Sequence, residues 1–181
     1  MSAVRAASVV LDTNVALDLL VFADPSAQAL RTALAEGSLQ WLATQEMRQE
    51  FGRVLAYPRI TRQLQRQFMQ ASEPLERFDA MTQRVERAAP SGLRCSDPDD
   101  QIFIDLALAH GALLLSKDAA VLALRRRLQR GVLPCAPSCL LHLEAVGPGQ
   151  GPGLAVDQRK RAQVLLQQHT VGHLRQDGLC E

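Results

Sequence analysis

An apolar run, Val9-Val10-Leu11, stops abruptly at Asp12 and gives way to helical spacing from Val15. Short apolar runs bounded by polar residues mark buried strands. A carboxylate at the carboxyl end of such a strand lies where open α/β sheets place their ligands. The arrangement recurs late in the chain. Ala112-Leu113-Leu114-Leu115-Ser116 is unbroken and apolar, as expected of a strand buried on both faces of a parallel sheet, and it ends at Lys117-Asp118. Two strand-end acids joined by alternating strands and helices imply an α/β fold, a three-layer α/β/α domain with a mainly parallel four- or five-stranded sheet.

The connecting segments fit this plan. Val15 to Phe22 has the pattern of a short helix. Asp24-Pro25 supplies an N-cap and a first-turn proline for a second helix, which runs to about Gly37. Leu39 to Ala43 is the second strand. Thr44 caps a helix carrying Met47, Phe51, Val54 and Leu55 on one face and ending before Pro58. Residues Arg59 to Ala89 are polar with helical spacing and predict two helices, broken near Glu73-Pro74, that form a layer or arm outside the core sheet. Leu93-Arg94-Cys95 is a candidate third strand. Asp97-Pro98 repeats the cap-plus-proline start for a helix that turns Ile102, Phe103, Leu106 and Ala107 inward and stops at Gly111. The helix after Asp118 closes on Arg125, Arg126, Arg127 and Arg130, where cations complement its dipole. A fifth strand is expected over Gly131 to Cys135 and a last helix over Pro137 to Ala145. The Gly/Pro run from Gly147 to Gly153 divides a domain at 1–146 from a tail at 147–181.

A chain of 181 residues suits one domain with a full core. Its net charge of +1 produces no global field directed at nucleic acid. Only Lys117 and Lys160 among its 20 basic residues are lysine. Arginine suits bidentate phosphate contacts, although a GC-rich coding sequence gives the same bias. No apolar run approaches the ~20 residues of a membrane span, and the early Asp12 does not fit a signal peptide, so a cytoplasmic protein without a membrane partner is expected. Cys95, Cys135, Cys139 and Cys180 are too sparse for a disulfide framework and read as reduced.

The acids point to chemistry. Asp100, in the first turn after Pro98, is placed at the same sheet edge as Asp12 and Asp118, and Glu46 and Glu50 share a face of the helix after the second strand. Converging carboxylates repel one another unless a cation neutralises them. An all-oxygen set suits the hard ions Mg²⁺ or Mn²⁺. Such ions polarise a phosphoryl oxygen and lower the pKa of bound water, which favours phosphodiester cleavage. Each acid taken singly has an ordinary explanation: dipole stabilisation for Asp100, an N-cap for Asp118, a solvated helix face for Glu50. Asp12 is harder to explain away, because a charge directly after a buried strand needs a partner.

The motifs SVVLDTNV (from Ser8), TQEMRQEFGRVL (Thr44 to Leu55) and CSDPDDQIFIDLALAHGALLLSKD (Cys95 to Asp118) resemble PIN-domain ribonucleases. The likeness extends in particular to the branch formed by toxin components of bacterial toxin–antitoxin pairs, and it covers roughly residues 8–145. It implies a Mg²⁺- or Mn²⁺-dependent endoribonuclease in which Asp12, Glu50, Asp100 and Asp118 hold the metal, with Asn14, Ser116 and Asp99 in support. Thr13 completes the first motif. Glu46 and Asp99 are the neighbouring alternatives for Glu50 and Asp100, and Asp105 stands where the family often has a small residue. An RNA substrate, a cognate antitoxin covering the acidic cleft and a homodimer are the implied partners.

Competing readings remain. A zinc site could draw on Cys135, Cys139, His142, His169, His173 and Cys180, but the spacings match no tight motif. There is no phosphate-cradling glycine loop and no Gly-x-Ser-x-Gly elbow. An aspartyl-nucleophile phosphatase needs an acid where Asn14 stands. Arg48, Arg53, Arg59, Arg62 and the Arg125 to Arg130 cluster are candidates for RNA backbone contact, with base stacking subordinate because the chain has only seven aromatics. The alternative to an enzyme is a catalytically silent module of the same fold that binds RNA or a protein.

Overall fold

The computed structural model describes residues 6–124 and the short strand at 135–137. Five parallel strands form one sheet in the order β3-β2-β1-β4-β5: β1 (Ala7–Leu11), β2 (Leu39–Ala43), β3 (Thr82–Arg84), β4 (Leu113–Ser116) and β5 (Cys135–Pro137). The chain winds from β1 outward to β3, then crosses to β4 and winds the other way. The order therefore reverses between β1 and β4, where Leu11 pairs with Leu115. Right-handed crossovers running in opposite directions place helices on both faces, giving the three-layer α/β/α arrangement. A reversal of this kind opens a crevice at the carboxyl ends of the two central strands.

The central strands are the apolar runs of the sequence. Val9 and Val10 are completely buried, and all four residues of β4 are buried. Helix α1 (Thr13–Leu17) leaves β1 at Asp12 and continues into a π-helical turn (Asp18–Phe22). Asp24 caps the 3₁₀ turn at Pro25–Ala27 that opens α2 (Gln28–Ala35), and Gly37 takes the left-handed conformation beyond its end. Thr44 caps α3 (Gln45–Leu55), which buries Met47, Phe51 and Leu55. The expected helix breaks at Pro58 and near Pro74 also appear, as α4 (Pro58–Arg66) and α5 (Ser72–Met81).

The structure corrects several expectations. Of the two forms expected for the α4–α5 pair, it takes the layer outside the core sheet and not a free arm. Phe78 of α5 lies edge-on to Trp41 of β2 (centroids 4.9 Å apart) and stacks on Phe51 of α3 (5.2 Å). The third strand is Thr82–Arg84, not Leu93 to Cys95. It is a polar edge strand specified by its pairing with β2, so its composition carries no strand signal. Helix α6 (Gln101–His110) starts three residues later than Asp97-Pro98 predicts, because Asp97 turns its carboxylate onto the Asp99 N–H and forms a local turn instead. Strand β5 shares only Cys135 with the expected Gly131 to Cys135, and Pro137 belongs to it instead of opening a helix. Helix α7 (Ala119–Ala123) follows Asp118 as expected. The Arg125 to Arg130 cluster, the Gly/Pro linker and the 147–181 tail lie outside the described residues, as do Cys139, His142, His169, His173 and Cys180. Among the described residues no helix is long and apolar enough to cross a membrane.

Candidate active site

The crevice at the strand-order reversal is where the acids gather. Asp12 ends β1 and caps α1, so both its position and its hydrogen bonds are dictated locally on one side. Its Oδ1 accepts from the Val15 N–H (2.8 Å). Its Oδ2 accepts from the Lys117 N–H (3.0 Å), on the loop that leaves β4. The residue is only 2% exposed. Burial pushes its pKa up and the Asp118 charge adds to this, against hydrogen bonds from Ser116, Val15 and Lys117 that favour the ionised form. Ser116, fully buried at the end of β4, also accepts from the Asp118 N–H (2.9 Å) and so ties the two strand-end acids to one hydroxyl. Asp118 caps α7 through Oδ1 and the Ala120 N–H (2.7 Å).

Asp100 is also strongly perturbed. It is the N-cap residue of α6 but makes no capping bond, and its Oδ2 is buried without a hydrogen-bond partner. Burial raises its pKa from 3.8 to about 7, reinforced by the like charges of Asp118, Asp97 and Asp12. Asp118 meets it as a second carboxylate, which offers no donor while both are ionised. Asp97, which the sequence offered only as a helix cap, thus contributes to the field. The signal was the cluster Asp97-Pro98-Asp99-Asp100 itself.

Glu50 enters from α3. Thr13 donates its hydroxyl to Glu50 Oε1 (2.8 Å), linking the first sequence motif to the second. Its pKa is raised by burial and by the charges of Asp99 and Asp12, and lowered by Thr13 and Arg53. Glu46 is placed differently. Its pKa is lowered by its own backbone N–H and the Thr44 hydroxyl, and the charge it feels is Arg87. Glu50, not Glu46, therefore shares the field of Asp12, and Asp99 lies at the exposed margin of that field. Asn14 is exposed in the first turn of α1. Asp105 is engaged by other partners and accepts from the Ser91 N–H (2.7 Å) and the Gln101 amide (2.9 Å). Arg48 is committed elsewhere: its guanidinium makes a bidentate contact with Asp79 (2.5 and 2.7 Å) that ties α3 to α5.

Among the described residues no group of three or more His, Cys, Asp or Glu side chains stands ready to hold a metal ion. The chemistry of the donor set nevertheless fits a hard divalent cation. Asp12, Glu50 and Asp100 all have raised pKa values, each with a contribution from mutual repulsion, and Asp100 has an oxygen with nothing to bind it. A cation answers all of these deficits at once. Thr13 holds Glu50 toward the group, so Thr13→Val is expected to weaken Mn²⁺ binding about 10- to 100-fold, as outer-shell changes do. Calorimetric titration measures this directly.

No curated protein and no solved structure matches the chain significantly. A profile of the PIN domain matches residues 8–120, from the start of β1 to the first residues of α7 and so including every acid of the crevice. PIN domains are generally nucleases and usually use divalent metal ions such as Mg²⁺. With more than half of its length matched by that profile, the chain belongs to the PIN domain family.

Proposed function

We propose that the chain is a Mg²⁺- or Mn²⁺-dependent endoribonuclease whose metal is held by Asp12, Glu50, Asp100 and Asp118. The observation that carries this reading is the high-pKa carboxyl of Asp100, one buried oxygen of which has no hydrogen bond, in the field of Asp12 and Asp118. A bound divalent ion would supply electrophilic stabilisation of the phosphodiester and an acidified water. The chain's own residues do the rest. Val15, Lys117 and Ser116 fix the Asp12 carboxylate, Ser116 also fixes Asp118, and Thr13 orients Glu50. Exposed Asn14 would position ligand or water, and Asp99 would add negative charge beside Glu50. The finer identity, toxin of a toxin–antitoxin pair, rests on the likeness of the sequence motifs. On that reading an antitoxin covers the acidic crevice and the toxin is a cytoplasmic homodimer.

The test is cleavage of a labelled single-stranded RNA by the full chain with Mn²⁺ or Mg²⁺, with EDTA, and by Asp118→Asn. Cleavage is expected with metal, none in EDTA, and at least a hundredfold loss in the variant. Wild-type rates in EDTA or in Asp118→Asn overturn the reading. The lack of a ready three-residue metal group favours a second reading, a silent module that binds RNA or protein. RNA binding without cleavage at any Mn²⁺ concentration would establish it.

A further inference from the structure

Between Glu50 and Glu73 the chain has no acidic residue, and its only charged side chains there are Arg53, Arg59, Arg62 and Arg66. This local charge of +4 stands out in a chain of net charge +1. Arg53 is exposed on α3, one turn beyond Glu50, and its charge reaches the Glu50 carboxylate. Arg59, Arg62 and Arg66 follow on α4 at i, i+3 and i+7, so they share one face, while Ile60 and Leu64 are buried on the other. Among the described residues none of these four arginines takes part in an ion pair. Arg62 uses only its Nε, on the Pro58 carbonyl. Glu73, the first acid beyond the stretch, is already engaged by the Gln70 N–H and Arg77.

Two aromatic rings bracket this basic helix. Tyr57, immediately before α4, is 57% exposed, and Phe68, just after it, is 96% exposed. They are the large hydrophobic side chains that the described residues leave in water. Phe68 also has φ +54°, in the left-handed region that bulky side chains avoid. Its backbone is held there by the bonds from Phe68 N–H to Gln65 and from Met69 N–H to Leu64. Packing accounts for the turn but not for a phenylalanine at its tip.

We propose that α4 and its flanking aromatics form a platform for single-stranded RNA that leads the substrate to the acidic crevice. This rests on the nuclease reading of that crevice. Arg59, Arg62 and Arg66 contact successive phosphates, Tyr57 and Phe68 each stack a base, and Arg53 links the platform to the site. The nine residues of α4, at about 1.5 Å each, make a helix roughly 14 Å long between the two flanking aromatics, room for two bases with phosphates between them. Single rings beside cations match the needs of a single strand, whose bases are free to stack. Paired bases in a duplex are not. A protein partner docking through apolar contact needs a contiguous patch, which two isolated rings do not make.

The test is anisotropy of a labelled 12-nucleotide RNA, single-stranded or in duplex, titrated with the full chain in EDTA. The wild type is expected to prefer the single strand. Phe68→Gly and Tyr57→Ala should each weaken binding about 5- to 150-fold. The triple variant R59Q/R62Q/R66Q should reduce the slope of log affinity against log salt by about two. Phe68→Gly suits the left-handed backbone, so its melting temperature should equal or exceed that of the wild type. Wild-type affinity in these variants, or a wild type that does not bind single strands, overturns the proposal. So does a Phe68→Gly chain that changes only its oligomeric state in sedimentation, which would assign the face to a second copy. Platform-dependent binding without Mn²⁺-dependent cleavage would sink the nuclease reading and leave the platform standing. Asp118-dependent cleavage with unaltered binding by the variants would do the reverse.

Discussion

Asp12→Asn should abolish RNA cleavage, lowering kcat/KM by at least ~10²–10³-fold, the loss that follows removal of one well-aimed electrostatic group. The physical reason lies in how both oxygens are used. Each accepts a backbone N–H, from Val15 and from Lys117, in a position almost closed to water. An amide keeps one acceptor but presents an NH₂ where the second stood, facing an N–H donor it cannot bond. That mismatch costs about 1–3 kcal/mol. Removing a buried charge that burial already disfavours offsets part of it. The melting temperature is therefore expected to move modestly while activity and calorimetric Mn²⁺ binding collapse. A variant that cleaves RNA at the wild-type rate would remove Asp12 from the mechanism.

Asp100 should make both stability and metal affinity depend on pH, in opposite directions. Its carboxyl titrates at about 7 in the folded chain against an ordinary 3.8. Between these values the folded state keeps a proton that the unfolded state has lost, so stability falls as pH rises across that window. The contribution is complete below pH 4 and gone above 7. In EDTA, Asp100→Asn should accordingly match the wild type near pH 4 and melt at a higher temperature at pH 8. Mn²⁺ reverses the sense, because it needs the ionised carboxylate. Wild-type affinity should climb roughly tenfold per pH unit up to about 7 and then level, with about one proton released per ion at pH 6. Calorimetry in two buffers of different ionisation enthalpy counts that proton. A flat affinity between pH 5.5 and 7.5 would refute the assignment of Asp100 to the metal.

Much of the frame follows from neighbours in sequence. The strands β1, β2 and β4 stand where apolar runs are bounded by polar residues. The caps Asp24, Thr44 and Asp118 satisfy N–H groups two or three residues ahead, interactions that composition and spacing reveal. Asp12 and Asp118 were legible as candidates for the same reason, since each follows an apolar strand and caps the helix after it. Three features were not. Strand β3 is polar, and only the edge of β2 makes it a strand. Phe78 reaches the core because α5 folds back over Trp41 and Phe51. Arg48 is withdrawn from any ligand by Asp79, 31 residues away.

The sequence by itself determined the central strands and most of the helix caps, and it nominated the carboxylates. Only the tertiary structure decided which of them interact. Asp12 meets the Lys117 N–H across 105 residues, Glu50 and not Glu46 joins Thr13, and Asp100 is raised to about 7. Local hydrogen bonds close within a turn and are written in adjacent side chains. Electrostatic coupling depends on distance through a low-dielectric interior, and that distance is set by the reversal of strand order between β1 and β4.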